Sequence, residues 1–275
     1  MNNLVKRTLT GILFVAVVAG CVLCNSYSLL ALFSIITVAG LWEFYSLMEN
    51  TGNADIKKVV HCFGGFLLLA AFYMYASTDY GTSVFIPYII WFLYLFVSQL
   101  YLKKENPLQN WAYTILGHIY IALPFGLLCM MPFFDNKTYQ SVLPFAFFVF
   151  IWINDTGAYI IGSSFGRHRL FKRISPKKSW EGFFGGLILS IVTAVIFYHY
   201  FSSTLNLYEW IGMALVTVVF GTWGDLTESL IKRTINIKDS GALLPGHGGV
   251  LDRFDSVLLA APACMIYFTL LNLIR

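Results

Sequence analysis

Long apolar runs alternate with short polar breaks along the whole chain. Reading only that alternation gives nine segments, at 8–24, 28–47, 59–76, 84–102, 111–133, 142–162, 182–201, 208–230 and 256–274. Each is near the length, about 20 residues, that a helix needs to cross hydrocarbon. Backbone groups in lipid must pair within their own segment, so the pattern predicts helices rather than open strands. The break at Asn25-Ser26 is the weakest of the set.

Composition strengthens this picture. The 275 residues are 58% hydrophobic, 17% aromatic and 12% charged. A soluble domain carries about a quarter charged residues, so half that share excludes ordinary aqueous packing. Mean hydropathy is +0.71. The expected fold class is all-α, a polytopic integral membrane bundle of about nine transmembrane helices. The Lys6-Arg7 start before an apolar run resembles a signal peptide, but with spans following throughout, a first spanning helix is the better reading.

Charge placement sets an expected orientation. With the N-terminus cytoplasmic and every span crossing, the inner loops hold Lys6, Arg7, Lys57, Lys58, Lys103, Lys104, Arg167, Arg169, Lys172, Arg173, Lys177, Lys178, Lys232, Arg233, Lys238 and Arg253. The outer side keeps only Lys137 and Arg275. This satisfies the positive-inside rule, which one missed early span would scramble. The predicted location is the cell inner membrane, multi-pass, with chemistry facing the cytoplasm.

Polar residues divide the chain. Residues 1–140 read as scaffold helices with plain loops, and 141–275 as the catalytic membrane region. Five cysteines lie in apolar stretches and read as small buried hydrophobes. Cys21-x-x-Cys24 has no second pair, which argues against zinc. His61, His118 and His199 stand singly in spans and read as structural. No P-loop, dinucleotide fingerprint or G-x-S-x-G elbow occurs, and no nucleic-acid partner is expected.

Carboxylates inside membrane helices are costly and therefore point to function when partnered. Asp155 lies in Trp152-Ile153-Asn154-Asp155-Thr156-Gly157, and Asp225 in Gly221-Thr222-Trp223-Gly224-Asp225. For either, a helix-packing hydrogen bond is the plain alternative. Asp225, Ser229 and Lys232 fall at i, i+4 and i+7, on one helical face, a surface suited to a metal and a phosphate together. Gly221 and Gly224 leave room for a close neighbour.

The stretch after this span is denser. Lys232, Arg233 and Lys238 precede Pro245-Gly246-His247-Gly248-Gly249, and Asp252, Arg253 and Asp255 follow. Glycine backbone can present N–H groups to an anion. Hard carboxylate oxygens with room for water and phosphate suit magnesium. A second basic cluster, from Arg167 to Gly182, includes Ser175, Lys177 and Lys178. It reads as a site for a polyphosphate or lipid phosphate, or as a polybasic loop on anionic lipid.

Ser229 to Asp255 resembles the signature of phosphatidate cytidylyltransferases, position for position: Ser229, Lys232-Arg233, Lys238-Asp239, Pro245, His247-Gly248-Gly249, Asp252-Arg253 and Asp255. Asp155-Thr156-Gly157-Ala158-Tyr159 and Ser175-Pro176-Lys177-Lys178-Ser179-Trp180-Glu181-Gly182 resemble the family's two other blocks, with Ser179 where threonine is commoner. Residues 150–256 carry the likeness; the first 140 share only hydrophobicity.

The resemblance implies CTP and phosphatidic acid as substrates and membrane lipids as surroundings. It implies a paired-cation centre of Mg2+, with K+ a candidate second ion, on Asp225, Asp252 and Asp255. Asp225, Asp252, Lys232 and Arg253 would carry catalysis. Ser229, Arg233, Lys238, His247, Gly248, Gly249, Ser175, Lys177, Lys178 and Asp155 would hold substrate. A homodimer is a candidate assembly, since half the spans have no catalytic task. The rival readings are a CTP-dependent polyprenol or phytol kinase and, from another class, an ion-coupled transporter.

Overall fold

The computed structural model describes residues 3–52, 54–102, 106–135, 137–241 and 248–274, with side chains from Thr10 onward. Among them the α-helices are α1 (Asn3–Cys24), α2 (Ser26–Asn50), α3 (Lys58–Ser77), α4 (Ile86–Tyr101), α5 (Pro107–Gly117), α6 (Leu123–Met130), α7 (Val142–Phe165), α8 (Trp180–Phe201), α9 (Leu207–Thr234) and α10 (Leu251–Ile274). Eight segments are long and apolar enough to cross a membrane, and Thr10–Cys24 of α1 is a shorter apolar stretch. Each of the nine segments read from the sequence coincides with one of these.

The exterior is as apolar as the interior. Ile35 is 69% exposed, Leu93 60%, Leu100 78% and Ile188 60%. Water does not tolerate apolar surface on that scale, whereas lipid does. The protein is therefore a multi-pass membrane protein.

The chain clusters into two compact units, Met1–Ser141 with Asp239–Arg253, and Val142–Lys238 with Phe254–Arg275. In the first unit, the weak break between α1 and α2 is fixed by a capping box. Asn25 accepts the Ser28 amide at 2.9 Å, and the Ser28 hydroxyl accepts the Asn25 amide at 3.1 Å. Two orphan amides are thereby satisfied without water, and the chain can turn within one residue.

The predicted span 111–133 proves to be composite, because Pro124 supplies no N–H to the ladder. A π turn at His118–Ala122 joins α5 to α6 just before that proline. There the two histidines expected to stand singly are joined: His118 Nε2 donates to the His61 carbonyl at 2.8 Å, with the Tyr88 hydroxyl 3.3 Å from Nδ1 and Trp91 stacked at 4.3 Å. The cysteine expectation also needs correction. Cys62, Cys129 and Cys264 are buried, but Cys21 is half-buried and Cys24 exposed.

The second unit holds α7, α8, α9 and most of α10. Lipid gives helices no hydrophobic reason to associate, so close packing over small residues must do it. A Cβ on Gly157 of α7 would sit 3.0 Å from the Gly186 Cα of α8, and one on Gly182 would sit 3.1 Å from the Gly162 Cα. Backbone thus meets backbone along this pair. Between them, the polar stretch read as a loop contains an antiparallel hairpin, β1 (Arg169–Phe171) and β2 (Ser175–Ser179).

Helix α9 has 28 residues, about 42 Å, so it outruns the roughly 30 Å hydrocarbon and carries Lys232 and Arg233 beyond it. It ends in a Schellman motif. Ile237 N–H bonds the Lys232 carbonyl at 2.9 Å and Asn236 N–H the Arg233 carbonyl at 3.2 Å, with Asn236 at φ 57°. Asparagine tolerates that left-handed position better than other non-glycine residues.

The expected room beside Gly224 is present. A Cβ there would lie 2.5 Å from the Asp255 carbonyl and 3.1 Å from that of Ser256, whereas one on Gly221 meets nothing nearer than 3.6 Å. Gly224→Ala should therefore destabilise the fold by about 1–3 kcal/mol through overpacking, read as a lowered thermal midpoint in detergent. Gly221→Ala should leave that midpoint unchanged.

Candidate active site

Helix α8 begins where it does because Ser179 caps it: its hydroxyl accepts the Gly182 amide at 3.2 Å. Serine keeps the one group this position uses, which accounts for its standing in for threonine. Glu181, in the first turn, accepts the His168 amide at 3.1 Å and meets its ring Nδ1 at 2.6 Å. The hairpin is thus clamped to the helix it precedes, and β2 delivers Lys177 and Lys178 to a defined place.

That place is a cavity of about 560 Å³ in the second unit. Asp155 of α7, Asp225 of α9, Lys177 and Lys178 of β2, and Ser256 of α10 line it. The Lys178 ammonium lies 2.5 Å from Asp225 Oδ2, and the Ser229 hydroxyl donates to Oδ1 at 3.3 Å. Asp155 lies within electrostatic range of both Asp225 and Lys178. Asp255, from the start of α10, interacts with Asp225, Glu228 and Asp155. Three helices and a hairpin therefore bring Asp155, Asp225, Asp255 and Glu228 into one electrostatic neighbourhood, with Lys178 on Asp225 and Lys232 on Glu228.

Lys232 is more committed than the sequence suggested. Its ammonium meets Glu228 Oε2 at 3.2 Å, and the two side chains are 13% and 3% exposed. Arg233 donates to the Ile237 carbonyl at 3.2 Å, bracing the end of α9, and Lys238 is exposed beyond it. Ser175 pairs opposite Phe171 in the hairpin and does not line the cavity. A second, more open basic surface of the same unit is formed by Arg167, His168, Arg169 and Lys172 beside Trp180 and Phe184.

The remaining predicted residues belong to the first unit. Gly248 adopts φ 81°, a conformation glycine reaches without strain. Asp252 Oδ2 accepts the amides of Gly249 at 2.8 Å and Ser240 at 2.9 Å. Arg253 is exposed in the first turn of α10. His247 lies outside the described residues.

Two further acidic residues belong to these arrangements. Glu228 shares the 225-229-232 face, three residues after Asp225 and four before Lys232. Glu43 sits in the apolar span 28–47, and it accepts the Val250 amide at 2.8 Å. The rule that singled out Asp155 and Asp225, a carboxylate inside a membrane span, applies equally to Glu43.

The sequence model of the cytidylyltransferase family matches residues 5–271. The chain is 29% identical over 257 residues to a phosphatidate cytidylyltransferase of Staphylococcus haemolyticus, covering 93% of this chain and 95% of that protein. It is 36% identical over 160 residues to one from Staphylococcus aureus, 58% of this chain and 60% of the relative. Identity reaches 48% over 119 residues with one from Haemophilus influenzae, 42% of this chain and 41% of the relative. With the family match running from the first helix to the last, this chain belongs to the cytidylyltransferase family.

Proposed function

We propose that the protein transfers the cytidylyl group of CTP to phosphatidate, giving CDP-diacylglycerol and pyrophosphate, with its site open to the cytoplasm. The observation that carries this reading is the family match over residues 5–271 together with a polar cavity of the second unit where Lys178 meets Asp225. An oxygen of the lipid phosphate attacks the α-phosphorus of CTP. A new P–O bond forms there, the bond to the bridging oxygen breaks, and pyrophosphate leaves with that electron pair. A phosphate monoester is already largely ionised at neutral pH, so no strong base is required.

The main task is to bring two anions together. In this reading Lys177 and Lys178, placed by the hairpin, offset phosphate charge at the cavity. Lys178 also holds Asp225 in one rotamer, and the Ser229 hydroxyl fixes its other oxygen. Lys232, neutralised by Glu228, contributes position more than charge. Arg253 and Lys238, both exposed, are the cations assigned to the triphosphate. The open basic surface around Arg169 and Lys172, with Trp180 at its edge, suits an anionic headgroup at the membrane interface.

Magnesium fits the donor set. Among the described residues no three His, Cys, Asp or Glu side chains come together as a metal site. Magnesium needs no such trio, since it is commonly held by one or two carboxylates, with water and substrate phosphate completing its shell. Asp155, Asp225 and Asp255 repel one another, and a cation among them would relieve that repulsion. Asp225 and Asp255 would hold it, and when bound it would screen the phosphates; Asp252, the third ligand that the resemblance implies, has its Oδ2 engaged by the Gly249 and Ser240 amides.

Four outcomes test the reading. Purified protein given CTP, phosphatidate and magnesium should release pyrophosphate; release of CDP instead would indicate a lipid kinase. Asp225→Asn should cut that rate by about 100-fold or more while inserting normally, and near-normal turnover would remove Asp225 from the site. Chelation with EDTA should abolish turnover and added magnesium restore it, whereas full activity in EDTA excludes the metal. Arg253→Ala should raise the KM for CTP by about ten-fold, an effect an unchanged nucleotide affinity would contradict.

A further inference from the structure

Glu43 is a carboxylate in the C-terminal half of α2, in the part of the chain that otherwise reads as scaffold. Its Oε2 accepts the Val250 amide at 2.8 Å, its Oε1 accepts the Leu251 amide at 3.4 Å, and the Ser240 hydroxyl donates to Oε1 as well. All of these groups lie in the first unit. They belong to the two ends of the segment that carries Pro245-Gly246-His247-Gly248-Gly249.

Asp252 braces the same two ends from the other side. Its Oδ2 accepts from Ser240 and Gly249 together. Ser240 is held twice, its amide by Asp252 and its hydroxyl by Glu43, and it is 3% exposed. Residues 240 and 249–251 are thus tied to each other through two carboxylates.

The glycines of the segment make this possible. A Cβ on Gly249 would collide with the Glu43 carboxylate, and one on Gly241 would come within 2.9 Å of its Cδ and Oε2. On α2, Gly40 clears the approach, since a Cβ there would already touch Leu251 Cδ2 at 3.3 Å. Backbone amides that could have served a bound anion are instead occupied by the chain's own carboxylates at Gly249, Val250 and Leu251.

We propose that Glu43 is a positioning residue for cytidylyl transfer: its carboxylate ties Ser240 to Val250 and Leu251, and so places Asp252 and Arg253, which follow them directly. The inference rests on the cytidylyltransferase reading above. A half-buried carboxylate accepting backbone N–H groups makes charge-assisted bonds, stronger than those of a neutral amide. Glutamine at this position keeps the shape but replaces one acceptor oxygen with an NH2 donor, which faces another donor.

The test compares Glu43→Gln, Glu43→Ala and Ser240→Ala with the parent protein in detergent, by activity and by backbone hydrogen exchange. Glu43→Gln should lower turnover by about 100-fold, because small displacements of catalytic groups cost that much. Exchange in the peptide containing Val250 and Leu251 should accelerate by about ten-fold or more, with α7 to α9 unchanged. Ser240→Ala should reproduce a smaller part of both effects, and nothing further when added to Glu43→Ala.

Wild-type turnover and exchange in Glu43→Gln would overturn the proposal. So would variants that only express less while their folded fraction keeps full specific activity, which is the behaviour of a packing residue. If the parent protein makes no CDP-diacylglycerol, the functional reading fails on its own. The exchange measurement then still decides whether Glu43 holds the segment.

Discussion

A carboxylate buried among membrane helices loses its water and must find donors or opposite charge nearby. That constraint accounts for where the charged side chains of this protein stand. Asp225 is met by an ammonium and a hydroxyl. Glu228 is met by Lys232 four residues on. Asp252 and Glu43 are met by backbone amides. Each solution uses a different donor, because each carboxylate arises in a different local context.

The solutions depend on small residues. A carboxylate can reach backbone amides only where no Cβ intervenes, and glycine at 241 and 249 provides that opening for Glu43. Helices can pack closely only if their backbones approach, which Gly157, Gly182 and Gly186 allow between α7 and α8. Gly224 does the same where α9 meets the residues after Phe254. In a solvent that gives no hydrophobic drive for helix pairing, those approaches are also what holds the unit together. Stability and chemistry therefore draw on the same glycines.

The hairpin between α7 and α8 turns a basic stretch into an instrument with a direction. Antiparallel pairing, the Ser179 cap and the Glu181–His168 clamp fix which lysines reach the cavity. Lys177 and Lys178 line it, whereas Ser175, two residues earlier, does not. A flexible polybasic loop would attract the same anions without placing them.

The amino-acid sequence alone determined the class of solvent and the positions of the long apolar helices, because hydrocarbon thickness imposes a length on every apolar run. It also determined the family, since the Ser229–Asp255 signature is contiguous and survives being read as a string. It marked Asp155 and Asp225 because a charge within an apolar run is conspicuous in one dimension. The tertiary structure decided which groups meet: that Lys178 comes to Asp225, that Asp255 comes near Asp225 and Asp155, and that Glu43 holds a segment some 200 residues away in sequence. Such pairings depend on helix approach and on hydrogen-bond direction, neither of which has a period or a spacing that a linear reading can detect.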